Sequence, residues 1–478
     1  MLVILIGRVL QFLLLLAMMR VATTLLTPAE MGRLTLISTT TAFFALFLIN
    51  PVGMFINRRL HAWQENGSVK AYLRRYWGYL AVVSLFAALV LTGLNETGWF
   101  DFQTPTAWLL LLVCGSLLFN TINQTVIPSI NLLGASKPFL LLTNASVATG
   151  FLAATLLVSL FSPQAEYWLL GLLLGQTLFA WVGGKVFFVR LKSPASGSQV
   201  ARIHVRHLRI LFAFAWPVAI SVGLGWAQSQ GYRFMMGEQL GMAQLGLFFA
   251  GYGISAGLIA AFESILTTYL QPRLYRDANT LDAERQLRSW QQYASAVIPS
   301  LLLTGICIAA LAPELTRIFL GAAFQSASEF VVWGACAETA RVMISTYTLK
   351  AHVGMQTRKL ILPNLIGAAL ALLLSYWLMP HMGGAGAGAA LTLSGFAILF
   401  AMHFSSSFSV GGNLGTKDIL LVLGLGGGLL CLTALFRPIL ETWAGLLGQP
   451  ALVLLAGLLY FVAQYLVFRK HLEASASR

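Results

Sequence analysis

Leu26-Thr27-Pro28-Ala29-Glu30-Met31-Gly32 and Leu240-Gly241-Met242-Ala243-Gln244-Leu245-Gly246 share one pattern, Leu-x-x-Ala-(Glu/Gln)-apolar-Gly, at an offset of 214 residues. Each stands between two long apolar runs. A second pair follows in the same order: Gly134 and Asn144 flank Lys137, and Gly354 and Asn364 flank Arg358, at an offset of 220. Leu, Ala and Gly are abundant here, so neither match decides alone. Two matches in order, at nearly one offset, point to an internal repeat of the kind transporters carry.

The apolar runs supply the rest of the architecture. The chain has 478 residues, of which 58% are hydrophobic and only 10% charged, whereas a soluble domain carries roughly 25% charged residues. A water-soluble globule is excluded. At roughly 20 apolar residues per span, the runs between Leu2 and Val467 make about 14 membrane-crossing helices. No polar stretch between them exceeds about 20 residues, far below what a separate folded domain needs, so function must be performed within the bilayer. The paired motifs follow spans one and seven, and spans four and ten. The expectation is an all-α polytopic membrane protein with two six-helix bundles and two further helices. Because six is even, both halves enter from the same side and relate by an axis along the membrane normal, with the substrate site between them. The corresponding boundaries are residues 1–192 and 211–404 for the bundles, 193–210 for a basic linker, and 405–478 for the last two helices and a tail.

The formal charge of +14 is explained first by topology rather than by nucleic acid, because cytoplasmic loops accumulate Lys and Arg. Of the 30 basic residues, 23 fall on one set of alternating connections, and only Arg33, Arg233, Arg317 and Arg437 on the other. This places both termini in the cytoplasm. Arg8, Arg20 and Arg341 fall inside spans and escape that explanation. Cys114, Cys307, Cys336 and Cys431 all lie in apolar runs without metal-ligand spacing, and no metal site is expected. The N-terminus lacks the basic segment and cleavage site of a signal peptide, so the first helix reads as retained.

Charge inside a bilayer is costly and usually faces a cavity or a partner. Arg8 and Arg20 are separated by about 120° around span one and can border one broad cavity at two depths. Arg233 is their counterpart in the repeat. One reading makes them a cationic lumen that grips diphosphate oxygens bidentately; the other lets them snorkel to the interfaces. Glu338 and Arg341, one turn apart, either neutralise one another or part when a diphosphate competes for Arg341 and frees Glu338 to take a proton. Glu263 has no cationic residue three or four positions away; it reads either as a protonatable coupling site or as a partner of the basic edge near Arg273. Asn120, Asn123 and Gln124 form a polar stripe on span four, suited to sugar hydroxyls or to interhelical hydrogen bonds of about 0.6 kcal/mol. Pro51, Pro217 and Pro363 are expected to kink their spans.

With the turn Leu26 to Gly32, its echo Leu240 to Gly246, Trp216-Pro217 opening span seven, and the Gly383 to Gly388 turn before Ala389-Ala390, the chain resembles the polysaccharide transporters of the multidrug/oligosaccharidyl-lipid/polysaccharide flippase superfamily. Within them it is similar to bacterial O-antigen and exopolysaccharide repeat-unit flippases. Such transporters often carry Asp before the Arg that ends span seven; here Tyr232 precedes Arg233. The resemblance implies a V-shaped, MATE-like pair of bundles that alternates access. It implies a cargo, an undecaprenyl-diphosphate-linked oligosaccharide, moved across the bacterial inner membrane with no cofactor beyond H⁺ or Na⁺ coupling. A polysaccharide polymerase and glycosyltransferases are the implied partners.

Two other classes compete. A cation-coupled exporter of the same superfamily would place Asp or Glu inside its N-terminal bundle, but spans one to six contain neither while holding Arg8 and Arg20, which favours an anionic cargo. A membrane polymerase or ligase acting on lipid-linked sugars would need a sizeable extracytoplasmic loop, and none exceeds about a dozen residues. No enzyme activity is expected, and no Gly-x4-Gly-Lys-Ser/Thr stretch supports an ATP-driven pump.

Overall fold

The computed structural model describes residues 2–65, 67–98, 101–191, 205–278, 283–353, 360–404, 416–443, 452–453 and 455–465, and contains helices, turns and no strand among them. The helices in chain order are α1 (Leu2–Leu25), α2 (Pro28–Phe44), α3 (Asn50–Glu65), α4 (Val69–Glu96), α5 (Thr106–Leu132), α6 (Ser136–Leu160), α7 (Ala165–Arg190), α8 (Val205–Gln230) and α9 (Tyr232–Leu240). After them come α10 (Met242–Ala278), α11 (Ala283–Ala310), α12 (Ala312–Phe319), α13 (Ser328–Val353), α14 (Ile361–Met382), α15 (Gly384–Phe404) and α16 (Thr416–Trp443).

Eleven helical stretches are long and apolar enough to cross a membrane, and two shorter apolar helices, Leu10–Leu25 and Leu455–Tyr465, accompany them. Helix α13 has the length to cross, at 26 residues, but carries Glu338 and Arg341 in its middle. Together these account for the expected spans. Large apolar side chains such as Leu89, Leu152, Leu156, Leu373 and Phe461 point outward, the distribution of a chain whose solvent is lipid and whose backbone polar groups are satisfied within helices. This is a multi-pass membrane protein.

Several boundaries depart from the hydropathy reading. Helix α2 begins at Pro28, because the Thr27 hydroxyl accepts the Glu30 amide at 3.3 Å and a proline follows as the first helical residue. A π-turn, Ala45–Ile49, then joins α2 to α3, giving one stretch from Pro28 to Asn57. Pro51 lies just after that turn: it has no N–H to donate, and the wider winding makes room for its ring. Pro217 sits inside α8. The kink expected at Pro363 does not arise, since it stands in the first turn of α14, where a missing N–H costs nothing. Span seven continues beyond a break at Gly231 into α9.

The repeated turns pack against each other. A Cβ on Gly32 would run into the carbonyl oxygen of Met242, and a Cβ on Gly246 would run into the carbonyl oxygen of Pro28. Each motif thus presents its third residue to the seventh of the other. Gly241, between α9 and α10, adopts φ +84°, a conformation that a side chain resists.

The chain divides into two compact units, Met1–Gly246 and Leu247–Arg478. In the first, α6 and α7 pack closely because Gly171 and Gly175 lie on the backbones of Ala154 and Gly150, and Asn144 on α6 donates to the Gly7 carbonyl of α1 at 3.3 Å. Helices α8 and α9 pack on α2 in this unit. In the second, α13 packs between α11 and α15, pinned by Trp290, whose ring N–H donates to the Thr346 carbonyl at 3.0 Å. The closing helix Leu455–Tyr465 is held to α11 by Gln464, which donates to the Ser300 carbonyl, and by Tyr460, paired with Thr304, both at 2.8 Å.

Candidate functional site

In the second unit the intramembrane charges come together. Glu338 and Arg341 sit one turn apart on α13, and Arg341 Nε donates to Glu338 Oε2 at 2.6 Å. The other arm of the guanidinium donates to Glu263 Oε2, on α10, at 3.2 Å. Tyr252, also on α10, donates its hydroxyl to Glu338 Oε1 at 2.6 Å. Glu338 is 9% exposed at its side chain, Glu263 22% and Arg341 42%. The i,i+3 pair on α13 is legible in the sequence. Glu263 meets Arg341, 78 residues away, which neither the coupling reading nor the contact with the basic edge near Arg273 anticipates. The cluster holds two carboxylates against one guanidinium and so carries one surplus negative charge.

Beside it lies a cavity of about 230 Å³ walled by α10, α11 and α13, with Glu263, Thr267, Gln271 and Tyr275 spaced four apart along one side and Tyr293 and Ser345 among the residues opposite. Each step of four turns about 40° round the helix, so these side chains form a band that winds along α10 rather than a straight column. That band is visible in the sequence, yet nothing short of the fold supplies its facing wall.

In the first unit, Arg233 opens α9 half-buried; its guanidinium donates to Thr39 Oγ1 at 3.0 Å and to Gln230 Oε1 at 3.4 Å, and rests beside the Tyr232 ring, 5.9 Å from its centroid. Tyr232, which stands where the resembled transporters carry Asp, is itself buried. Arg20 is exposed on α1, near its end. Arg8 also lies on α1, but its side chain is outside the described residues. The polar stripe on α5 is divided by its surroundings: Gln124 is exposed, Asn120 half-buried, and Asn123 buried. Asn123 donates its amide to the Gln176 carbonyl of α7 at 2.9 Å, while its Oδ1 is buried without a partner.

Acidic residues of the sparse, acid-rich connections are also paired. Arg33 lies 3.4 Å from Glu30 and 3.8 Å from Glu166, which accepts the Thr104 hydroxyl at 3.0 Å. Arg437 holds the almost fully buried Glu314 bidentately, at 2.7 and 3.0 Å, and also donates to the Ala310 carbonyl. These contacts fasten α2 to α7 and α16 to α12. Among the described residues no group of three His, Cys, Asp or Glu is placed to hold a metal ion.

The fold is shared with solved structures. A lipid II flippase MurJ in an inward closed conformation superposes with a TM-score of 0.70 at 13% identity, covering 98% of this chain and 99% of that one. An inward-facing multidrug resistance MATE family transporter of the MOP superfamily gives 0.56 at 11% identity, covering 82% and 92%. An outward-facing one gives 0.50 at 11%, covering 89% and 93%. No curated protein sequence matches. Identity this low speaks for architecture alone, but the sequence itself carries a family signature, since residues 21–329 match the family described as polysaccharide biosynthesis protein. With well over half of its length inside that match, the chain belongs to the polysaccharide biosynthesis protein family.

Proposed function

We propose that this protein is a flippase that carries a polyprenyl-diphosphate-linked oligosaccharide across the bacterial inner membrane by alternating access. The observation that supports it is the family match over residues 21–329 on a chain whose fold is that of a lipid II flippase. Arg8, Arg20, Arg233 and Arg341 are the guanidinium groups we assign to diphosphate binding, because Arg keeps its charge at any working pH and presents a fork that matches two phosphate oxygens. The lipid tail stays in the bilayer, and Asn120 and Gln124 offer further polar contacts, whereas Asn123 is spent on α7. A glycosyltransferase supplies the cargo and a polymerase receives it, with both termini of the flippase in the cytoplasm. No cofactor takes part.

Alternating access needs a ligand that binds the two states unequally, since equal affinity shifts nothing. Glu263 and Glu338 provide the coupling site: their surplus negative charge around Arg341 takes up H⁺ or Na⁺ on one side and releases it on the other. That surplus, with the MATE-like architecture, also favours a second reading, cation-coupled export of small molecules.

One experiment separates the two. Cells lacking the gene should lose surface polysaccharide and accumulate lipid-linked oligosaccharide, while their tolerance of cationic dyes stays unchanged. Arg20→Ala and Arg8→Ala should reproduce that loss at normal protein level, with Lys restoring part of it. Intact polysaccharide together with dye sensitivity would establish the exporter instead. In proteoliposomes Glu263→Gln should remove the response of flipping to a pH or Na⁺ gradient; a wild-type response returns Glu263 to a structural role.

A further inference from the structure

Helix α4 sorts its residues onto two faces. Leu73, Tyr76, Leu80, Val83 and Ala87 are buried on one, where the Tyr76 hydroxyl pairs with Thr125 of α5 at 3.2 Å. The other face changes character along its length: the exposed Lys70 and Arg74 come first, then Trp77, then Leu85 and Leu89, all strongly exposed. At about 100° per residue, Lys70, Arg74, Trp77 and Leu85 fall within about 80° of arc. Two cations, an indole and an apolar surface thus follow one another down a single face that no neighbouring helix covers.

The depths along that face match one leaflet. At about 1.5 Å per residue, Arg74 precedes Trp77 by about 4.5 Å and Leu89 follows it by about 18 Å, close to half of a hydrocarbon core about 30 Å thick. Indoles settle at headgroup level. With Trp77 there, Leu85 and Leu89 run beside acyl chains, and Arg74 and Lys70 stand at the depth of the phosphates.

Charge selects which lipid. Between residues 51 and 94, Arg58, Arg59, Lys70, Arg74 and Arg75 stand against one carboxylate, Glu65, and no acidic residue occupies the first turn of α4. Lys70 lies in that turn, at the end of a helix where the dipole favours an anion over a cation. An anionic ligand relieves both conditions. The platform is also fixed in place: Trp63 of α3 stacks flat on Tyr72 with centroids 4.0 Å apart, and the Arg75 guanidinium lies 5.8 Å from the same ring. Topology requires only that basic residues be numerous on one side of the membrane; it does not require them to line up with a lipid-facing row.

We propose that this face of α4 holds one anionic glycerophospholipid, with its phosphate between Lys70 and Arg74, its glycerol beside Trp77 and an acyl chain along Leu85 and Leu89. Phosphatidylglycerol has that chemistry. The site is separate from the guanidinium groups assigned to the cargo, and it does not rest on the flippase reading.

The test uses the full chain in phosphatidylcholine nanodiscs that contain either brominated phosphatidylglycerol or brominated phosphatidylcholine. Bromine quenches an indole on contact, and subtracting the Trp77→Phe variant isolates Trp77 from the rest of the twelve tryptophans. Phosphatidylglycerol should quench Trp77 at a lower mole fraction than phosphatidylcholine does. Lys70→Gln and Arg74→Gln should each lower that preference about fivefold, the equivalent of about 1 kcal/mol for a cation at an anionic surface, and Arg74→Lys should keep most of it. Arg190→Gln, which removes an exposed cation at the end of α7, should leave it unchanged. Equal quenching by the two lipids, or an equal loss in Arg190→Gln, reduces the effect to general surface charge and overturns the site. Unbrominated phosphatidylglycerol should restore the fluorescence. If geranylgeranyl diphosphate restores it at a lower mole fraction, the face receives a polyprenyl diphosphate instead and the proposal falls.

Discussion

Replacing Arg341 by Met keeps most of the side-chain volume and removes the charge that two carboxylates share. Glu338 then stands 9% exposed with only the Tyr252 hydroxyl as its remaining partner among the contacts described. Removing one partner of a buried ion pair costs about 3 to 5 kcal/mol, because the other charge stays desolvated. Arg341 is 42% exposed and Glu263 22%, so solvent screens the Glu263 arm and that contact adds little. The lower end, about 3 kcal/mol, is therefore the expected loss. At roughly 2 to 4 °C per kcal/mol for a unit of this size, Arg341→Met should melt roughly 6 to 12 °C below the wild type in detergent, followed by intrinsic fluorescence. Adding Glu338→Gln should recover most of that, since the amide keeps the Tyr252 hydrogen bond and loses the stranded charge. If Arg341→Met melts within about 2 °C of the wild type, or if the double variant is no better than the single, the cluster does not stabilise the second unit as argued.

Other outcomes follow from the same reasoning. Gly32→Val and Gly246→Val should lower folded yield by similar amounts, since each side chain enters the other turn's backbone, whereas Gly257→Ala, with open space at its Cβ, should be neutral or better by up to about 1 kcal/mol of helix propensity; size-exclusion profiles of all three report it. Arg437→Ala strands Glu314, whose side chain is 1% exposed, and should cost about 3 to 5 kcal/mol, while exchanging both for apolar residues should restore stability; thermal melts of the single and double variants decide. Reporter fusions after Arg209 and Arg478 should be cytoplasmic and one after Glu96 periplasmic, as the 23 to 4 division of basic residues requires; a periplasmic C-terminus would mean an odd error in the span count.

The membrane-spanning architecture was legible because twenty-residue apolar runs leave few alternatives, and the motif echo at Leu26 and Leu240 was legible because the turns needed the same small residues. What hydropathy missed lies where local chemistry overrides it. Thr27 caps a helix that the apolar run alone would begin at Leu34; a π-turn precedes Pro51; Pro363 lands in a first turn where proline is harmless. At the site, the Glu338–Arg341 pair could be read because it is one turn of one helix. The Glu263–Arg341 bond could not, since it depends on how α10 lies on α13, and neither could the bond that Arg233 donates to Thr39, 194 positions away. The Asn120, Asn123 and Gln124 stripe shows the converse. Its periodicity was plain, yet Asn123 is turned into a neighbouring helix while Gln124 is not, and periodicity says nothing about which neighbour a face will meet.

The mutual contact of Gly32 with Met242 and of Gly246 with Pro28 has the form of an isologous seam, in which residue i touches j and j touches i. Ordinarily that form belongs to two copies of one polypeptide meeting across a twofold axis. Here it is folded into a single chain, and the two halves of the seam are not independent: a Cβ on Gly246 would meet the backbone nitrogen of Gly32 as well as the carbonyl of Pro28, so a side chain added at either glycine presses on both turns at once.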